Sequence, residues 1–320
     1  MHSVKNKIWR LAAVFLALSF THCLAQTAAD QSNLANMTAP VPANVQVNIN
    51  TIPAKKLFGH ETLPASMPSH AIGTYALGCM AGAQALRVTG PNWQVMRLSR
   101  HRNWALPQLN TLLERFAADA KQNYGWNGLL VGDMSQPRGG PMLTGHASHQ
   151  IGLDADIWFT PMPNHVLSPY ERENMVPLEM VKDHLHINPD NWTESRAKLI
   201  KTVASYPEIG RIFVHPPIKA ALCKWATGDR SWLAKVRPLF GHTFHFHIRM
   251  NCPPGMKSCI DQWKPKPKDG TGCGDELAYW MGPIPWTPHK RDPNAPPYVP
   301  PPPLTLKGLP AECRAVIQAP

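Results

Sequence analysis

The stretch Gly145-His146-Ala147-Ser148-His149-Gln150-Ile151-Gly152-Leu153-Asp154-Ala155-Asp156-Ile157-Trp158 opens as a glycine-containing loop and closes as an alternating strand. Side chains at every second position of a strand share a face, so Leu153, Ala155 and Ile157 lie on one side and Asp154 and Asp156 on the other. A carboxylate fixed on a strand and a histidine on the turn before it can converge on one point, and that point can hold a metal ion. A second stretch, Gly241-His242-Thr243-Phe244-His245-Phe246-His247-Ile248-Arg249-Met250, alternates more cleanly still. Phe244, Phe246, Ile248 and Met250 form its apolar face, and His245, His247 and Arg249 the opposite one. Two imidazoles then stand side by side, as zinc ligands or as a ligand and its base.

A histidine taken singly is more often a satisfied, partly buried side chain than a ligand. The chain has 15 His, so an H-x-H or an H-x6-D arises by chance roughly once in one or two such chains. The triplet His242-x-x-His245-x-His247 is expected only about 0.03 times. Taken jointly, two histidines and a carboxylate make the three-ligand set of a catalytic zinc whose fourth position takes water. Asp154 can orient a ligand histidine from behind. Arg249 shares that face and is expected in a structural ion pair.

Outward from these stretches, Pro107 to Tyr124 reads as the clearest helix, with Leu109, Leu112, Leu113, Phe116 and Ala120 at helical spacing and Gly125 as its stop. Asn127 to Asp133 reads as a buried strand, Gln136 to Gly140 as a turn, Thr193 to Tyr206 as a helix capped by Thr193, and Arg211 to His215 as a strand. Gly282 to Pro303 is dense in proline and should be polyproline-like. Strands and helices interleave irregularly, so the expected fold is α+β: a small antiparallel central sheet flanked by helices and long loops. Thirty-four prolines in 320 residues exclude a long helical bundle.

Lys5, Lys7 and Arg10 precede an apolar run, Leu11 to Phe20, and small residues follow at Cys23-Leu24-Ala25. That order describes a secretory signal peptide over residues 1–25. The run is about half the ~20 residues of a membrane span, and no later stretch is long enough. Removing residues 1–25 takes three positive charges from a net +11 to leave +8, and one cysteine from seven to leave six. Six cysteines in an oxidising compartment make three disulfides the default. Cys252 and Cys259 flank a short loop suited to a local bridge; Cys79, Cys223, Cys273 and Cys313 would staple distant segments. Export and the absence of a recognition helix, or of a basic run with interleaved aromatics, disfavour nucleic acid as the acidic partner. An anionic extracytoplasmic polymer fits better.

The run GHASHQIGLDADIW, the later HTFHFHIRM, Gly132 to Met134, Arg211 to Cys223 and the six cysteines closely resemble the penicillin-insensitive murein endopeptidases, zinc peptidases of the lysostaphin and D-alanyl-D-alanine peptidase group. The resemblance runs from about Gly73 to Cys313. It implies His149, Asp156 and His247 as catalytic zinc ligands and His245 as general base or transition-state stabiliser. His242 and His146 match further active-site histidines. Asp183 and His186, with His146, match a second, outer metal site. The disulfides implied are Cys79 with Cys313, Cys223 with Cys273, and Cys252 with Cys259. The expected organisation is a signal peptide (1–25), an extended arm (26–70) read from its polar, Ala-, Pro- and Asn-rich composition, a zinc peptidase domain (71–281) and a Pro-rich segment (282–320), longer than the family's usual form, tied back by Cys313. The implied activity is hydrolysis of D-alanyl–meso-diaminopimelate crosslinks of peptidoglycan in the periplasm; the sequence leaves the oligomeric state open, with a homodimer as one expectation. Two other readings share these residues: an exported zinc D,D-carboxypeptidase or dipeptidase, and a non-catalytic peptidoglycan-binding protein.

Overall fold

A computed structural model of the chain describes residues 48–263, 265–288, 292 and 294–320. The signal peptide and the arm up to residue 47 lie outside the described residues. Asn48–Pro320 forms one compact unit. Its helices are α1 (Ala54–Gly59), α2 (Pro107–Tyr124), α3 (Pro169–Asn174), α4 (Glu194–Ser205), α5 (Pro216–Trp225), α6 (Asp275–Met281) and α7 (Glu312–Gln318). Its strands are β1 (His70–Thr74), β2 (Leu77–Ala81), β3 (Gln84–Ala85), β4 (Thr89–Gly90), β5 (Trp93–Val95), β6 (Trp104–Ala105), β7 (Leu129–Val131), β8 (Asp154–Trp158), β9 (Ile209–Val214), β10 (Val236–Pro238) and β11 (His245–Met250). No helix among the described residues is long and apolar enough to cross a membrane.

One sheet runs in the order β10-β9-β11-β8-β7-β5-β4, beside the small pairs β1-β2 and β3-β6. Its centre, β9-β11-β8-β7, is antiparallel, while β10 joins β9 and β5 joins β7 in parallel. The class is thus α+β with three disulfides, and its antiparallel centre is widened into a mixed sheet by those parallel pairs.

Helix α2 begins with Pro107, where a missing N–H costs nothing, and ends at Gly125 with φ 68°. Its buried stripe, with Leu199, Ile200 and Val203 of α4, covers one face of the sheet. There Phe116 meets Phe246 of β11 edge-on at 6.3 Å, and Phe159 lies 5.1 Å from the same ring. Each such buried side chain contributes about 1.5–3 kcal/mol. The opposite face of β8 and β11 is left for polar side chains.

Several elements differ from the sequence reading. The strand expected over Asn127–Asp133 is confined to Leu129–Val131, because the Asn127 amide is spent on Met162 O and the chain beyond Gly132 turns Asp133 toward three basic side chains. Thr193 occupies the N-cap position of α4, yet its hydroxyl caps no helix amide and accepts instead from Arg196 Nη1. Phe244 lies just ahead of β11 and leaves its apolar face, stacking edge-on against Trp158 in a separate cluster with Met96, Leu130, Met162 and Leu167.

The segment expected as an extended arm turns helical at α1 and joins a second small core. Ala54, Phe58, Ile72, Cys79, Leu306, Leu309, Cys313 and Val316 make that core, so the two ends of the described chain pack together. Ala54 N donates to Leu304 O at 2.7 Å, and buried Arg138 donates to the carbonyls of Val316, Ile317 and Ala319 at the end of α7. Disulfides join Cys79 to Cys313, Cys223 to Cys273 and Cys252 to Cys259. The described residues of the proline-dense stretch ahead of Thr305 are mostly exposed.

Candidate active site

Register brings the site together. Across the β8–β11 pair His247 lies opposite Asp156 and Arg249 opposite Asp154. Directly opposed residues of an antiparallel pair share a face with Cβ atoms about 4.5–5.5 Å apart. A slip by one residue would send every one of them to the core side. The loop ahead of β8 then delivers His149, whose backbone sits at φ 67°. A non-glycine residue there costs on the order of 1–3 kcal/mol and persists only when its surroundings hold it. Here Asp154 Oδ2 accepts from His149 N at 3.0 Å and pins the turn. His242 is likewise left-handed, at φ 58°.

Three ligand-type atoms converge. His149 Nε2 lies 3.1 Å from His247 Nδ1 and 3.6 Å from Asp156 Oδ1, and His247 Nδ1 lies 3.3 Å from Asp156 Oδ1. Tetrahedral zinc with ligands at 2.0–2.1 Å needs edges of about 3.4 Å. Asp156 Oδ1 is buried without a hydrogen-bond donor, as expected of an atom that accepts a cation. A second grouping shares two members: His146, His149 and Asp156 offer ligand atoms within 4.8 Å of one another.

Behind this triangle stand the groups that orient it. His247 Nε2 faces Asp154 Oδ1 at 3.0 Å, which leaves Nδ1 facing the triangle. Asp154 is itself held by Arg249, whose Nε and Nη2 reach Oδ1 and Oδ2 at 2.8 and 3.0 Å. The guanidinium is sandwiched between the rings of Tyr75 and Phe213. Asp154 thus stands behind His247, and Arg249 is held in the structural ion pair expected from the alternation.

Asp133 does the same for His146. Its Oδ2 accepts from His146 Nε2 at 2.9 Å, Arg100 Nη1 at 3.0 Å and Arg102 Nη1 at 2.9 Å. Sequence reasoning assigned Asp133 no such role. The signal available was an acidic residue ending a buried apolar run, with two arginines two positions apart elsewhere in the chain. His245 Nε2 faces Asp156 Oδ2 at 3.6 Å, and its ring lies 5.1 Å from that of His242. His242 Nδ1 must donate to Phe240 O, at 2.7 Å, because a carbonyl can only accept; Nε2 is therefore the acceptor nitrogen.

Charge states follow from burial. Desolvation pushes His149 and His242 each down to about 3 and lowers His245 as well, so all three are neutral at pH 7. Burial would raise Asp156 and Asp154. His245 and His149 outweigh it at Asp156, and Arg249 and His247 at Asp154, leaving both carboxyls far below the usual range. Asp133 is held at about 2 against burial by His146 and Arg100. His149, His242 and His245 are therefore neutral imidazoles beside ionised carboxylates; burial would lower His247 too, but Asp154 and Asp156 outweigh it and raise it, so a metal bound there displaces a proton.

Asp183 and His186 are not brought to this centre. They sit on an exposed loop and pair with each other, His186 Nδ1 lying 2.9 Å from Asp183 Oδ1. Among the described residues no third His, Cys, Asp or Glu joins them in a metal-holding group, and His146 is engaged with Asp133. Among the described residues, Asp183, His186 and His146 do not form a group whose ligand atoms all lie within 4.8 Å of one another.

Residues 71–318 match the family model for penicillin-insensitive murein endopeptidases. The chain is 41% identical over 241 residues to a protein of that name from Salmonella paratyphi B, covering 75% of this chain and 86% of the relative. It is 38% identical over 257 residues to the one from Klebsiella pneumoniae subsp. pneumoniae, covering 80% of this chain and 89% of the relative. The match to the Salmonella newport protein is 41% over 241 residues, with coverage of 75% and 86%.

Proposed function

This chain belongs to the penicillin-insensitive murein endopeptidase family, and from that premise we propose that it is a zinc-dependent endopeptidase hydrolysing D-alanyl–meso-diaminopimelate crosslinks in peptidoglycan. The observation that carries the zinc assignment is the triangle of His149 Nε2, His247 Nδ1 and Asp156 Oδ1, backed by Asp154 on His247. When bound, zinc supplies a Lewis acid that polarises the scissile carbonyl and acidifies a water. His245, neutral and facing the triangle through Nε2, accepts the proton of the attacking water and delivers it to the leaving amine. His242 presents an acceptor nitrogen beside it and positions the water. Asp133 fixes His146 at the rim. A signal peptide over residues 1–25 would deliver the enzyme to the periplasm, where its substrate lies.

The test is digestion of purified crosslinked muropeptide dimers by native protein, by chelator-treated protein and by treated protein given zinc back. Native and restored protein are expected to yield monomers, and chelated protein none. His247→Ala should lose both zinc and activity, whereas His245→Ala should keep zinc while its rate falls ~10²–10⁴-fold. Cleavage that survives chelation would overturn the zinc mechanism. Release of free D-alanine would favour a carboxypeptidase, and retention of murein without cleavage a binding protein.

A further inference from the structure

We propose that the cleft between α1, the loop over 141–150 and the returning C-terminal tail is a subsite for a carboxylate-bearing stem peptide, selected by Lys55. The inference rests on the murein reading above and deepens it. The cleft encloses about 360 Å³, and its lining includes Pro53, Lys55, Met142, His146, Pro303 and Leu304. His146 belongs to both places: it lines the cleft, and its Nε2 lies 3.7 Å from Asp156 Oδ2 in the candidate active site. A ligand in the cleft therefore abuts the centre where the bond would break.

The walls are mostly carbon, and no carboxylate lines them. Gln150, which also lines the cleft, has its amide spent on Ala76 O, Ala147 O and Gly78 N. Lys55 is exposed and makes no hydrogen bond or ion pair among the described residues. An apolar cleft with one unspent cation suits a ligand of small apolar side chains that carries an anion. A murein stem peptide, built of alanines and diacids, has that character.

The walls are also firmly built. Ala54 N bonds Leu304 O, Pro53 bridges Thr305, and Gly140, at φ 73°, lets the Phe58 ring of α1 lie where a Cβ would come within 2.2 Å of it. The return of the Pro-rich segment thereby becomes a wall of the substrate site.

Binding and cleavage separate this inference from the reading beneath it. An uncrosslinked tetrapeptide muropeptide, which offers no crosslink to cut, is titrated calorimetrically into native protein, K55M and K55E, in its free-acid form and with its carboxylates amidated. For the free acid, K55M should weaken binding about three- to fivefold, as expected of one solvent-accessible ion pair, and K55E by more than tenfold. The differences should vanish for the amidated ligand, and KM for the crosslinked dimer should rise in parallel while kcat holds. Unchanged unfolding midpoints certify the variants. Equal free-acid affinity for native protein and K55E would overturn the inference, as would a Lys55 effect undiminished by amidation. Failure of native protein to cut the dimer would instead overturn the endopeptidase reading.

Discussion

Asp154 concentrates the logic of the site in one side chain. It is fully buried, takes both arms of Arg249, faces His247 Nε2 and accepts the His149 amide. Removing one partner of a buried ion pair leaves the other charge without compensation, at about 3–5 kcal/mol. Asp154→Asn should therefore lower the unfolding free energy by about that amount, read by urea titration, and weaken zinc about 10–100-fold, read by competition with a chelator. The pH dependence has a definite sign. The carboxyl is depressed in the folded state, so its contribution is fully present above the unfolded value of about 4 and is lost only as pH falls through the lower folded value. Because Asp154 also raises His247, whose contribution is fully present only below the unfolded imidazole value of about 6.5, the gap between wild type and the Asn variant should be greatest between about pH 6 and pH 4 and narrow below it.

Strand β11 has two duties that its alternation keeps apart. Its even positions from Phe246 pack on α2 and Phe159, while His245, His247 and Arg249 face the site. Phe246 is wholly buried, so Phe246→Ala should cost about 3–5 kcal/mol in urea unfolding. That loss also loosens the register against β8, so on the zinc reading proposed above the affinity for zinc should fall although His149, Asp156 and His247 are unchanged. The alternation was legible in the sequence and assigned Phe246, Ile248 and Met250 to the core. Phe244 was assigned with them and is not there, because the chain ahead of β11 has left strand geometry and its ring finds Trp158. Helix α2 was legible through its period, its leading proline and its closing glycine. Helix α1 was not: Phe58 is buried in a core shared with Ile72 and Cys79 of β1 and β2 and with the tail, beside the loop at Gly140.

The whole molecule is closed by bringing its ends together. Cys79 and Cys313 are separated by 234 residues, whereas Cys252 and Cys259 are separated by 7. In the chain-entropy account, a longer closed loop restricts the unfolded chain more, giving roughly 5 kcal/mol for the first bridge and about half that for the second. The Cys79→Ser/Cys313→Ser pair should thus lose about twice the stability lost by Cys252→Ser/Cys259→Ser, measured by denaturant unfolding. Arg138, which caps the carbonyls of α7, would still tie the tail together with the Ala54 N–Leu304 O and Ser66 N–Pro320 O bonds.

By itself the sequence determined which residue types could make a metal centre, which faces of β8 and β11 they would occupy, where α2 starts and stops, and that six cysteines, an even set, stand beyond Cys23. These are consequences of backbone periods and terminal residues, which act over a few positions. Only the tertiary structure decided that His149 Nε2 meets His247 Nδ1 across 98 residues of sequence, that Asp133 rather than Asp183 partners His146, and that the ends of the chain wall a cleft beside them. Those pairings depend on strand register and long-range closure. Local conformational preference carries no information about either, because each is fixed by which surfaces bury one another.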